Sequence, residues 1–112
     1  MLQFKPEVRV TLLTEQLADV LRLATIWSLR TRVGVEVNSI DDQAPGRVHG
    51  TLHGYSLAVD LDTVGDKPQE TEELADFLAR TLDPQWDVLW ETNHVHAEWD
   101  ARRRPLKAIP SP

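Results

Sequence analysis

The stretch that decides the fold of this chain is ETNHVHAEWD, residues 91–100. If this stretch is extended, alternate side chains point to opposite faces, so His94, His96 and Glu98 lie on one face. The residues between and after them are apolar, which is typical of a strand packed on a core. Imidazole and carboxylate groups at this spacing can bind a divalent metal, with zinc the leading candidate. A single strand cannot complete such a site, so another part of the chain must supply a further ligand.

The best source of that further ligand is HGYSLAVD, residues 53–60. Six residues separate His53 from Asp60, too many for one tight turn and the wrong parity for a shared strand face. The two side chains can therefore converge only if a loop brings His53 back over the strand that holds Asp60. Gly50 and Gly54 give the backbone room for that loop. A His, Asp, His ligand set would leave a fourth position for water, which is the open geometry of catalytic zinc sites.

Length and composition indicate one ordinary globular domain. The chain has 112 residues, of which 41% are hydrophobic and 27% are charged, as in a typical soluble protein. It has no cysteine, which excludes disulfides and thiolate zinc sites, so any metal must be bound by nitrogen and oxygen. We find no apolar run that predicts a signal peptide or a membrane span.

Charge is unevenly distributed along the chain. The net charge is −6, and four of the twelve basic residues follow position 101, so eight basic against eighteen acidic residues give residues 1–101 about −10. Such a body would repel a phosphate backbone, and we do not expect a nucleic-acid partner. We expect one domain over residues 1–101 and a basic, proline-containing tail over 102–112.

The remaining pattern predicts an α+β fold. Residues 7–12 alternate well enough for a short strand. Thr14 is a suitable N-cap for an amphipathic helix over residues 15–32, whose apolar residues recur at spacings of three and four. A second helix follows Thr71 and ends at Asp83-Pro84. Further strands are expected at residues 33–40, 57–62, 86–90 and 92–99, with loops at 41–50 and 63–68. The prediction is a small antiparallel sheet with two helices packed on one face.

Two sequence motifs resemble those of a known enzyme family. The segment TLHGYSLAVD, residues 51–60, resembles the Ser-x-His-x-x-Gly-x-Ala-x-Asp signature of the zinc D-Ala-D-Ala carboxypeptidase and L-alanyl-D-glutamate endopeptidase family. The His, Ala and Asp positions match in register, while Thr51 replaces the Ser and Ser56 replaces the Gly. The later His94-Val95-His96 resembles the His-x-His element of that family, and Glu91 with His94 also fits its Glu-x-x-His variant.

The resemblance implies zinc as the cofactor and a role for each matching residue. His53 and Asp60 would be the first two zinc ligands. In the His-x-His version, His96 is the third ligand and His94 is a catalytic or ligand-supporting group. In the Glu-x-x-His version, His94 binds zinc and Glu91 is the base. We favour His96 as the ligand, because the literal His-x-His is present.

The resemblance also implies a substrate and a setting. Arg47 is the nearby candidate for contacting a substrate carboxylate, with Thr51 and Ser56 as further substrate-binding residues. The expected function is hydrolysis of peptidoglycan stem peptides, as by a phage or prophage lytic enzyme. Such a protein would be cytoplasmic until lysis, or virion-associated. The alternative is a non-catalytic binding or structural module of the same fold, favoured by Ser56 and by the lack of a Ser-Gly-Tyr-Arg segment before the loop.

Overall fold

The computed structural model describes residues 1–10, 13–43, 56–65 and 67–100. In these ranges the chain forms two helices and five strands that build one sheet, so the predicted α+β class is confirmed. The elements, in chain order, are β1 (Leu2–Phe4), α1 (Glu15–Thr31), β2 (Val35–Gln43), β3 (Ser56–Thr63), α2 (Pro68–Thr81), β4 (Trp86–Glu91) and β5 (His94–Asp100).

The sheet is mixed, whereas the sequence predicted an antiparallel one. Its strand order is β1-β2-β3-β5-β4, and the pairs β2–β3, β3–β5 and β4–β5 are antiparallel. The exception is β1, which pairs with β2 in parallel. The reason is the connection between them, because the chain crosses over through α1 and so returns in the same direction.

The first strand also lies earlier than expected. We predicted a strand over residues 7–12, but β1 is Leu2–Phe4 and Val8–Val10 belong to no strand. The ladder continues only as far as Lys5, whose backbone N–H donates to the carbonyl of Val37 at 3.0 Å. Pro6 follows and has no N–H to donate, so the pairing stops and the chain turns.

Helix α1 agrees closely with its predicted bounds. The hydroxyl of Thr14 accepts a hydrogen bond from the backbone N–H of Leu17 at 3.2 Å, which satisfies one of the unpaired donors at the helix start. The helix ends at Thr31, and Arg32 follows with a left-handed φ of 64°. Trp27 is buried in the core, as predicted.

Helix α2 begins three residues before the predicted start. Pro68 is its first residue, a position where a missing N–H and a fixed φ favour the helix. The preceding Lys67 provides no side-chain cap. Instead, the hydroxyl of Thr63 at the end of β3 accepts a hydrogen bond from the backbone N–H of Lys67 at 3.2 Å and lies 2.7 Å from the hydroxyl of Thr71. These bonds join α2 to β3.

The sheet has one buried face and one open face. On β3 and β5 every second residue is buried, including Val59, Leu61, Val95 and Ala97, which are fully buried. Both helices pack on this face. The intervening residues of β5 are His94, His96 and Glu98, so the predicted division of that strand into two faces is confirmed. No helix in the described ranges is long and apolar enough to cross a membrane.

Candidate functional site

The open face brings together two predicted metal ligands that are far apart in the sequence. Asp60 on β3 and His96 on β5 are directly opposite each other in the ladder. Oδ1 of Asp60 lies 2.7 Å from Nδ1 of His96. Both side chains are partly exposed, at 31% and 26% of their surface. The pairing depends on the strand order, because β5 lies between β3 and the edge strand β4.

A second carboxylate contacts the other nitrogen of the same imidazole. Nε2 of His96 lies 3.2 Å from Oε1 of Glu98, two residues along β5. Burial lowers the pKa of His96, but the hydrogen bonds and negative charges of Asp60 and Glu98 outweigh it, and the net pKa is raised above 6.5. A protonated His96 has an N–H on each ring nitrogen and can donate one to each of these carboxylates.

Ser39 completes this cluster from β2. Its hydroxyl donates to Oδ2 of Asp60 at 3.1 Å, so each oxygen of Asp60 has its own partner. The sequence analysis did not identify Ser39 as part of the site. A signal was present, because Asn38-Ser39 places two polar residues side by side in an otherwise alternating strand. Such an interruption is typical of a β-bulge.

The other histidine of β5 pairs with a different carboxylate. Nε2 of His94 lies 3.0 Å from Oε1 of Glu91, and its Nδ1 lies 2.9 Å from Oδ1 of Asn93. Glu91 and His94 are opposite each other at the end of the β4–β5 hairpin. The two residues that the sequence proposed for proton transfer thus form a pair. They lie beside the Asp60–His96 pair on the same face, with His94 about 6.8 Å from His96 along the strand.

Three of the predicted site residues cannot be compared with the structure. Arg47, Thr51 and His53 lie outside the described residues, as does the tail at 101–112. Ser56 is described: it is the first residue of β3 and is opposite Asp100 of β5. It therefore lies on the same face as Asp60, four residues earlier along the strand.

The structure also has a small cavity near one end of the sheet. It has a volume of about 210 Å³ and lies between the end of β3, the start of α2 and the β4–β5 turn. One of its lining residues, Asn93, contacts His94 through the 2.9 Å distance between Oδ1 and Nδ1. Its lining residues are Asp62, Lys67, Pro68, Thr71 and Asn93.

The donors present in the described ranges fit part of a zinc site. Two ligand atoms on a tetrahedral zinc ion, each about 2.0–2.1 Å from it, are about 3.3 Å apart. Asp60 Oδ1 and His96 Nδ1 are 2.7 Å apart, which is closer than two ligands of one zinc ion. Among the described residues, no three His, Asp or Glu side chains converge on one point. The reason is that Asp60 and Glu98 approach opposite nitrogens of His96. A zinc site here would need a third ligand from outside the described ranges.

Comparison with known proteins gives no relative from which a role could be transferred. No family model matches the chain, and neither a curated protein nor a solved structure matches it.

Proposed function

We propose that this protein is a zinc metallopeptidase that hydrolyses a bond in peptidoglycan stem peptides. The observation that supports the proposal best is the contact between Asp60 and His96. The motif resemblance names these two residues as metal ligands from their sequence context alone. The fold then places them on adjacent strands with their donor atoms 2.7 Å apart. His53, three residues before the start of β3, is the proposed third ligand.

The proposed roles divide between the two residue pairs. His53, Asp60 and His96 would hold zinc, which when bound polarises a carbonyl and lowers the pKa of water to near ~7. Glu91 and His94, whose side chains are 3.0 Å apart, would take up a proton during the reaction and return it. Half of the Glu91 side chain is exposed, so a peptide and water can reach it. Arg47, Thr51 and Ser56 remain the proposed contacts to the peptide.

A second candidate function is a non-catalytic module of the same fold. It is favoured by the hydrogen bonds of His96, whose two nitrogens both have carboxylate partners without a metal. In that case the cluster would connect β3 and β5 through the contacts of His96 with Asp60 and Glu98. Both candidates fit a protein that stays in the cytoplasm until lysis or belongs to a virion.

One experiment separates the candidates. The protein is purified without chelator, its zinc content is measured, and it is then incubated with purified peptidoglycan while released peptides are followed by mass spectrometry. The peptidase proposal expects about one zinc per chain and new peptide ends. Zinc without cleavage would favour the non-catalytic module. The absence of both zinc uptake and cleavage would refute the peptidase.

A matched pair of variants links the result to the site. Asp60→Asn should abolish zinc binding, because a neutral amide is a poor zinc ligand. Asp87→Asn is the control, since Asp87 is an exposed residue of β4 that pairs with the backbone of Glu98. Equal zinc content in the two variants would remove Asp60 from the proposed ligand set.

A further inference from the structure

We propose that the edge strand β4 binds an extended, basic peptide segment of a partner protein, which adds to the five-stranded sheet as a further strand. The proposal is independent of metal binding and of peptide hydrolysis. Its basis is the position of β4 in the sheet, two exposed apolar side chains on that strand and the acidic residues on either side of one of them.

The two edges of the sheet differ in their protection against pairing with another strand. At one edge, β1 has three residues and Pro6 follows soon after it, and both short length and proline protect edge strands. At the other edge, β4 has six residues, pairs with β5 without a bulge, and contains neither lysine nor proline. No described strand pairs with its outer side. Alternate backbone groups of β4 therefore point outward, where an extended peptide can bind to them.

Two large apolar side chains are exposed on opposite faces of this edge. Leu89 is opposite His96 and so lies on the open face, with 47% of its surface exposed. Trp90 is opposite the buried Val95 and so lies on the face that packs against the helices, yet 43% of its surface is exposed. Side chains on neighbouring strands pack against each other. A strand added here would therefore cover Leu89 on one face and Trp90 on the other.

Charge determines which kind of strand fits this edge. On the open face, Asp87 and Glu91 lie two residues before and after Leu89. Both carboxylates are exposed, and within the described ranges neither forms a salt bridge with a lysine or an arginine. The neighbouring strand places Glu98 opposite Asp87. Because opposite charges on paired strands are stabilising and like charges are destabilising, the added strand should carry a basic residue opposite each carboxylate of β4.

The spacing of the two carboxylates defines the pattern of the partner segment. Three residues separate Asp87 from Glu91, so the segment needs a basic residue, three apolar residues and a second basic residue. A second copy of β4 does not have this pattern, because pairing centred on Leu89 would place Asp87 of one copy opposite Glu91 of the other. The tail at 102–112 does not have it either, since no two of its basic residues are separated by three apolar ones.

The test uses synthetic peptides and the whole chain, with chelator present so that no metal contributes. The probe is Gly-Lys-Val-Leu-Val-Lys-Gly, and a control peptide has glutamate in place of both lysines. Two further probes carry N-methyl groups on alternate residues, one set for each edge of the peptide. Binding is followed in the backbone amide spectrum of the isotope-labelled protein, because this spectrum detects weak complexes and identifies the residues that are contacted.

We expect the lysine probe to shift the amide signals of β4 and the glutamate peptide to leave them unchanged. Only one of the two N-methylated probes should bind, because an added strand forms hydrogen bonds along one of its edges. Asp87→Lys should weaken binding of the lysine probe about fivefold. The matched control is Glu36→Lys, which makes the same change in charge on the same face but on β2, with two strands between it and β4.

Several results would overturn the proposal. Equal weakening by the two lysine variants would assign binding to the overall negative charge, and equal binding of both methylated probes would exclude strand addition. No binding, or shifts confined to other strands, would remove β4 as the binding edge. Light scattering tests a second copy, because a dimer that the probe dissociates would make that copy the occupant. Binding that appears only after Arg102, Arg103 and Arg104 are replaced by serine would make the tail of this chain the occupant.

Discussion

Nδ1 of His96 lies 2.7 Å from Oδ1 of Asp60, so the two side chains that we propose as metal ligands are in direct contact. The hydrogen bonds and negative charges of Asp60 and Glu98 favour the protonated imidazole, and the pKa of His96 is raised despite the opposing effect of burial. A metal ligand must be unprotonated. Zinc bound to His96 would therefore compete with a proton for the imidazole.

The first prediction concerns the pH dependence of zinc affinity. Because the pKa of His96 is raised above 6.5, zinc should bind more weakly as the pH falls, and the weakening should begin above 6.5. Isothermal titration calorimetry in buffers of different ionisation enthalpy measures the released proton directly. An affinity that stays constant between about pH 6 and 8, with no proton released, would contradict a role for His96 as ligand.

The second prediction concerns the metal-free protein, where the same pKa shift acts in the opposite direction. A histidine with a raised pKa in the folded state stabilises the fold fully below its unfolded value of 6.5, and this stabilisation is lost as the pH rises through the folded pKa. Urea unfolding with chelator present should show stability decreasing from pH 6 to pH 8.5.

The control for the second prediction is His96→Gln, which cannot carry the charge. Its stability should change less over the same pH range, because Asp60 and Glu98 then no longer contact a side chain that titrates in this range. A decrease of equal size in both proteins would assign the effect to another group.

Much of this fold follows from local sequence patterns. The faces of β5, the cap of α1 at Thr14 and the buried Trp27 depend on alternation, helical spacing and a single hydrogen bond, all of which are local. The prediction was wrong for the first strand, because the apolar alternation at 7–12 gave a stronger signal than the three residues Leu2–Phe4. That strand is determined by its pairing with β2, and pairing is a non-local property.

The candidate site divides in the same way. The sequence predicted which face of β5 carries His96, since that depends only on alternation. Alternation could not predict that β5 pairs with β3 as well as with β4. The pairing with β3 is what brings Asp60 into contact with His96. Ser39 was missed because its position depends on a bulge, and a bulge is defined by the register between two strands.

The third prediction concerns the polar link between β3 and α2. Thr63→Val should lower the free energy of unfolding by roughly 1–3 kcal/mol, because it leaves the backbone N–H of Lys67 without its acceptor and removes the partner of Thr71 in a buried interface. Urea denaturation measures the change. The control is Thr81→Val on the exposed side of α2, where the hydroxyl bonds to a carbonyl of its own helix. There we expect less than about 0.5 kcal/mol, and equal losses would contradict a special role for the buried pair.

The last prediction separates the two histidines of β5. They lie about 6.8 Å apart along the strand, and zinc–nitrogen bonds are near 2.1 Å. One zinc ion should therefore bind only one of the two histidines, and the other should lie beside the metal site. Asp60 contacts His96, whereas His94 contacts Glu91 and Asn93. We therefore expect His96→Ala to lose zinc and His94→Ala to keep it while losing hydrolysis of a wall peptide.

Glu91→Gln completes this comparison, because it removes the carboxylate that shares a hydrogen bond with His94. It should keep zinc and reduce turnover by about 10²–10⁴-fold if Glu91 is the proton acceptor. Zinc content by elemental analysis and peptide release by mass spectrometry give the two readouts for each variant. Zinc lost from His94→Ala but kept in His96→Ala would reverse the assignment and make Glu91 and His94 a Glu-x-x-His element. Unchanged hydrolysis in all three variants would refute the proposed site, because none of these residues would then be needed as a ligand or a proton-transfer group.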